Sequence, residues 1–168
     1  MIALTDTLVL DASVAVKWHL TDEDHVAEAQ SLFSAFTQGQ TKLAAPDHIY
    51  AEVASAITVA TRGRAPRFTP EQGQDAIDEF LDLDIITLHT EDLLRPAYSL
   101  AQQVGCAFYD ALYLAFAQEL ALPLITADWR LYQRIQPLPN TIWIGEYVPP
   151  VEPGAEPADP PLDDTLTD

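Results

Sequence analysis

Basic residues are scarce in this chain: eight lysines and arginines stand against 26 aspartates and glutamates over 168 residues, a formal net charge of -18. A field of that sign repels polyanions at long range. It argues against nonspecific nucleic-acid binding, where clustered lysine and arginine supply most of the affinity. Cys106 is the only cysteine, so no disulfide forms within the chain. No apolar run approaches the roughly 20 residues of a membrane helix. The first residues show no basic start leading into an apolar stretch, so no secretory signal is expected. A glycine-rich phosphate loop is missing, and His19, His25, His48 and His89 lack metal-ligand spacing of the His-Glu-x-x-His kind. There is no internal repeat. These absences favour a cytoplasmic protein with no membrane attachment.

Apolar residues are plentiful, at 48%, enough for a sizeable core in one domain. The composition shifts at Pro149. From there on the chain holds six of its 13 prolines and six acids (Glu152, Glu156, Asp159, Asp163, Asp164, Asp168) with no base. Such a segment cannot bury a core and reads as a disordered, acidic, proline-rich tail over 149–168, following a domain over 1–148. Without the tail, 20 acids still face eight bases.

Within the domain, short apolar runs alternate with helical patterns. Leu8-Val9-Leu10, Leu43-Ala44-Ala45, Ile85-Ile86-Thr87-Leu88, Leu124-Ile125-Thr126 and Thr141-Ile142-Trp143-Ile144 read as strands. A helix after Thr21 puts Val26, Ala29, Leu32, Phe33 and Phe36 on one face. The segment 47–61 reads as helical with Asp47 as its N-cap. Thr69-Pro70-Glu71-Gln72 combines a cap, a proline at the first helical position and a capping box, and opens a helix to about Leu83. Another helix follows Thr90 and ends at Gly105. A further helix over 110–121 is apolar nearly all round. Alternating strands and helices predict an α/β fold with a mostly parallel sheet covered on both faces.

In such sheets, sites form beyond the carboxyl ends of the strands. Asp11 directly follows the first strand, and Asp128 comes two residues after the fourth. Glu52 sits in the second turn of the helix after the second strand, at the margin of an apolar face made by Ile49, Val53, Ala56, Ile57 and Ala60. Asp110 opens the helix before the fourth strand. Right-handed crossovers bring all four ends to one sheet edge. Buried carboxylates need partners, and bases are few. A divalent cation satisfies several at once, and Mg2+ prefers hard oxygen ligands while keeping water. A water so bound can attack a phosphodiester. Taken singly, each acid has a plainer reading. Asp11 or Asp128 could cap a following helix, Asp110 could be an acid favoured by the helix dipole, and Glu52 a marginal surface residue.

The segments Val9-Leu10-Asp11-Ala12-Ser13, Tyr50-Ala51-Glu52-Val53, Tyr109-Asp110-Ala111-Leu112-Tyr113-Leu114-Ala115 and Thr126-Ala127-Asp128-Trp129-Arg130-Leu131 together resemble PIN-domain proteins, specifically VapC-type toxin ribonucleases. All four acids match in order and approximate spacing, and Ser13 and Thr126 match supporting hydroxyl positions. The resemblance spans about 8–144 and excludes the tail. It implies a three-layer α/β/α sandwich and Mg2+ or Mn2+-dependent hydrolysis of single-stranded RNA. It also implies a homodimer and inhibition by a small antitoxin protein. By the same resemblance Asp11 and Asp110 are the principal metal ligands and Asp128 completes the site. Glu52 holds a second metal or orients the attacking water, and Ser13 and Thr126 fix the carboxylates. The chain's acidity is the departure from the pattern, and it favours an alternative: a noncatalytic PIN-like module that works through protein partners.

Arg62, Arg64 and Arg67 form the one basic cluster, either a grip for phosphate or a solvated loop. Cys106 reads as a small core residue. A haloacid-type phosphatase would carry a second Asp two residues after its nucleophile; Ser13 stands there instead.

Overall fold

A computed structural model describes residues 6–136, 138 and 140–150. All of the predicted tail except Pro149 and Pro150 lies outside the described residues. Five strands form the sheet: β1 (Thr7–Leu10), β2 (Lys42–Pro46), β3 (Ile86–Leu88), β4 (Leu124–Thr126) and β5 (Thr141–Trp143). The helices are α1 (Ala12–Ala15), α2 (Val26–Thr37), α3 (Ile49–Ala60), α4 (Pro70–Leu81), α5 (Thr90–Val104), α6 (Phe108–Leu120) and α7 (Trp129–Ile135). Single 3-10 turns follow α1 and β5, at Val16–Trp18 and Ile144–Glu146.

Every strand pairing is parallel, so the sheet is wholly rather than mostly parallel, in the order β3-β2-β1-β4-β5. The chain moves outward from β1 through β2 to β3, then returns to lay β4 on the other flank of β1. Right-handed crossovers put α2, α3 and α4 over one face and α5 and α6 over the other, the three-layer α/β/α arrangement. The reversal makes the β1/β4 junction a topological switch point, where the strand ends part and leave a crevice.

Burial follows position in the sheet. Val9, Leu10, Leu43, Ala44, Ala45 and Ile125 on the inner strands are fully buried, while the edge strands β3 and β5 are only partly covered. On α6 all seven residues from Ala111 to Ala117 are buried, as expected of a helix apolar nearly all round. Among the described residues no helix is long and apolar enough to cross a membrane.

The local signals at α4 and α5 hold. Thr69 Oγ1 accepts from the Gln72 amide at 3.2 Å, and the Thr69 amide donates to Gln72 Oε1 at 2.9 Å. Gly105 ends α5 in the left-handed region, at φ 71°. Three readings change. The helix expected over 47–61 begins at Ile49 with His48 at its cap. The Asp47 carboxylate turns instead to α5, accepting from the Thr90 amide at 2.9 Å, from the Thr90 hydroxyl and from the His89 ring at 3.1 Å. It satisfies an orphan amide of a helix far along the chain, because β2 and β3 are neighbours. α6 starts at Phe108, two residues before the expected start, and Asp110 lies in its first turn as expected. The short helices α1 and α7 carry too few turns for periodicity to reveal.

Asp47→Ala is therefore expected to destabilise α5, not α3, by about 1 kcal/mol in thermal or urea unfolding. The Thr90 bonds, first the hydroxyl, hold the Asp47 carboxyl below its ordinary range. A depressed carboxyl stabilises above its unfolded value and loses that contribution as pH falls through its folded value. The gap between wild type and variant should close in acid; a gap that widens there would contradict the assignment.

Candidate active site

Asp11 leaves β1 at the switch point and is 6% exposed. Its side chain caps α1, accepting from the Ser13 amide at 3.4 Å on Oδ1. Oδ2 accepts from two hydroxyls, Ser13 Oγ at 2.7 Å and Thr126 Oγ1 at 2.5 Å. Thr126 is the last residue of β4 and is fully buried. The same hydroxyls hold the loop beyond β4: the Ala127 amide donates to Ser13 Oγ at 2.9 Å and the Asp128 amide to Thr126 Oγ1 at 3.0 Å. Burial raises the Asp11 carboxyl, and the two hydroxyls, Thr126 first, work against that rise.

Asp128 caps α7 through Oδ1, which accepts from the Arg130 and Leu131 amides at 2.8 and 3.0 Å. No hydrogen bond engages its Oδ2 among the described residues. The cap readings of Asp11 and Asp128 are thus correct, and they do not exclude a site role. The cap fixes each carboxylate's position, and at Asp128 it leaves Oδ2 for other work.

Asp110 lies in the first turn of α6. Its carboxyl is pushed up to about 6, first by burial and then by the charges of Asp11, Asp128 and Glu52, against a backbone hydrogen bond at Ala107. Four acids from four parts of the chain therefore share one electrostatic neighbourhood. They do not form a ready cage: among the described residues no group of three or more His, Cys, Asp or Glu side chains stands close enough to hold a metal ion.

Glu52 is held by residues that sequence reasoning passed over. Tyr113, one turn after Asp110 on α6, donates its hydroxyl to Glu52 Oε2 at 2.6 Å. Its phenol is driven well above its ordinary value, first by burial and then by the charges of Asp11 and Glu52, so it remains a donor. His48, one turn before Glu52, brings Nε2 to 3.3 Å from the same oxygen. That approach lacks the direction of a hydrogen bond, so it acts through charge when the ring is protonated. Burial raises the Glu52 carboxyl, but His48 and Tyr113 outweigh it and the net shift is downward. The His48 ring also packs on Tyr113, centroids 4.8 Å apart. The signal for Tyr113 was its spacing of three from Asp110, hidden in an apolar run.

One member of the basic cluster is not free for phosphate. Arg67 is occupied by Asp22 at 2.9 Å and Glu23 at 3.4 Å, which pins its loop to the segment before α2. Lys17, buried near the site, pairs with Glu23 at 3.0 Å. Cys106 packs at the core margin, as expected, and burial raises its thiol.

Comparison with known proteins bears on the family and the fold. The family model for the PIN domain matches residues 8–135. Ribonuclease VapC12 of Mycobacterium tuberculosis is 34% identical over 126 residues, covering 75% of this chain and 90% of that protein. Among solved structures, a toxin–antitoxin complex from Klebsiella pneumoniae aligns with a TM-score of 0.57 at 17% identity, over 80% of this chain and 95% of that one. VapC20 of M. tuberculosis, described as a sarcin-ricin loop cleaving toxin, aligns with a TM-score of 0.56 at 14% identity, over 75% and 93%. VapBC2 from Rickettsia felis, bound to a promoter DNA fragment, gives 0.55 at 18%, over 82% and 96%. At those identities the solved structures speak for the fold alone. With the family model running from β1 through α7 and a relative one-third identical across most of its own length, this chain belongs to the PIN-domain family.

Proposed function

We propose that this chain is a metal-dependent endoribonuclease acting on single-stranded RNA, the toxin of a type II toxin–antitoxin pair, with Asp11, Glu52, Asp110 and Asp128 as its site. The observation that carries the reading is the convergence of three acids from separate elements, Asp11, Glu52 and Asp128, on Asp110, whose carboxyl they help to raise, with no arginine or lysine bonded to any of the four among the described residues. The toxin assignment is supported by the relative named a ribonuclease and by solved neighbours described as a toxin–antitoxin complex and as a sarcin-ricin loop cleaving toxin. A small antitoxin partner, a homodimer and a cytoplasmic location follow from the same kinship.

The donor set suits Mg2+ or Mn2+. It offers hard carboxylate oxygens without thiolate, and its open spacing fits an ion that keeps several waters rather than one caged by protein. Asp11, Asp110 and Asp128 would hold the ion; when bound it supplies an acidified water and offsets charge on the phosphodiester oxygens. The chain's own residues do the rest. Ser13 and Thr126 bind one Asp11 oxygen and so fix the orientation of the carboxylate, an orienting role of the kind outer-shell partners play. Glu52, held low by His48 and Tyr113, is ionised at neutral pH and would orient the attacking water or hold a second metal.

The decisive experiment is cleavage of defined RNAs by pure protein with Mg2+ or Mn2+ against chelator. Asp11→Asn and Asp110→Asn should each reduce cleavage to background while the fold persists. Metal should raise the melting temperature of wild type by mass action, and that of the variants far less. Normal cutting by Asp110→Asn would favour the noncatalytic module instead.

The metal-free protein carries a pH signature. A carboxyl raised in the folded state stabilises fully below its unfolded value and loses that contribution as pH rises through its folded value. For Asp110 the loss runs from about pH 4 to above 6, given its position near 6. In chelator, Asp110→Asn should melt higher than wild type at pH 7.5, with the advantage fading toward pH 4; equal melting at both would remove the repulsion from the model.

Thr126→Val keeps the side-chain shape but deletes the hydroxyl shared by Asp11 and the Asp128 amide. It should cost about 1–3 kcal/mol of stability and lower kcat/KM roughly 10- to 100-fold. Unchanged kinetics would show that the hydroxyl does not position Asp11.

A further inference from the structure

Next to the acids stands an aromatic corner that the site chemistry does not use. Trp129 directly follows Asp128 yet remains 49% exposed. Its ring meets Trp143 at 5.0 Å and Tyr132 at 5.6 Å between centroids, and Trp143 meets His25 edge-on at 5.2 Å. α7, β5 and the segment before α2 thus converge on one spot. Two features show that the corner is built. His25 holds φ 60°, a conformation that a residue with a full side chain keeps only under tertiary constraint. A Cβ on Gly145 would lie 2.6 Å from Trp143 Nε1 and 2.8 Å from His25 Cε1, so only glycine lets both rings close over the chain.

The corner walls a cleft of about 690 Å³, faced by Asp22, Glu23 and Asp24. A second cleft of about 500 Å³ shares Lys17, Glu23 and Trp129 with it and continues to Ser13, Asp128 and Arg130. The two form one groove leading away from the site. Asp22 and Glu23 are tied to Arg67 and Lys17; the Asp24 carboxylate and the Arg130 guanidinium have no partner among the described residues. A phosphate is therefore repelled from the end of the groove lined by Asp24 and drawn to the end lined by Arg130, beside Trp129.

We propose that the exposed face of Trp129 is a stacking platform for the unpaired base adjoining the cleaved phosphodiester, with Arg130 holding that nucleotide's phosphate. The inference rests on the ribonuclease reading. It also gives an acidic chain a source of RNA affinity other than a basic surface, because stacking needs a π-face and not a charge.

The test is fluorescence anisotropy of a labelled single-stranded RNA binding the full chain with Mg2+, in an Asp110→Asn background that does not cut it. Adding Trp129→Ala should weaken binding at least ~5-fold, while Trp129→Phe, which keeps an aromatic face, should stay within about 2-fold. Arg130→Ala should flatten the slope of log affinity against log salt by about 0.7, the contribution of one phosphate on a single strand; Trp129→Ala should leave that slope unchanged. Equal binding by Trp129→Ala and its parent overturns the platform while leaving the ribonuclease reading intact. So does a Trp129→Ala variant that keeps RNA but loses an arginine-rich peptide, which assigns the corner to a protein partner. A wild-type chain that neither binds nor cuts RNA with either metal brings down the ribonuclease reading itself, and the platform with it.

Discussion

A carboxylate with 6% exposure at the end of a central strand is costly unless its oxygens find donors. Asp11 finds them in Ser13, two residues on, and in Thr126, 115 residues on. The distant partner matters more to the fold, since it requires β4 to lie against β1 with its end in register. The same two hydroxyls accept from the Ala127 and Asp128 amides, so one buried charge organises the strand end, the start of α1 and the entry to α7. Shared networks of this kind are stiff when every member is satisfied and fail together when one is lost.

Around that fixed point negative charge accumulates. Asp110, Asp128 and Glu52 each arrive on a different element, and each is held by amides, a phenol or an imidazole rather than by a lysine or arginine. Of the bases near the site, Lys17 and Arg67 are spent elsewhere, tying Glu23 and Asp22 to the body of the protein. Repulsion is left standing at Asp110, where it appears as a raised carboxyl. A cation relieves that repulsion. If the chain acts on RNA as proposed, that polyanion must meet this surface by means other than broad electrostatic attraction, and the aromatic corner beside Asp128 is suited to that.

How much could be read beforehand depended on how local each cause was. The Thr69–Gln72 capping box, the Gly105 stop and the buried helix α6 rest on neighbours within a turn or two, and all three hold. Asp47 is the instructive miss. A residue of the right type stands just before a helix, yet its carboxylate serves α5, 43 positions away, because β2 and β3 lie side by side. Tyr113 and His48 were passed over for a similar reason. One sits in an apolar run and the other is an isolated histidine, and only their contacts with Glu52 give them a role. Arg67 showed the converse, a base that looked free and is bound.

The sequence by itself determined the alternation of strands and helices, the parallel class of the sheet and the order of the four acids along the chain. These follow from hydrophobic period, turn chemistry and connection handedness, which act over short spans. Tertiary structure alone decided which oxygens are occupied, that the acids share a field without forming a closed cage, that Tyr113 and His48 grip Glu52, and that Trp129 opens beside the site. Those outcomes depend on distances and burial between residues up to 115 positions apart, and a linear pattern carries neither.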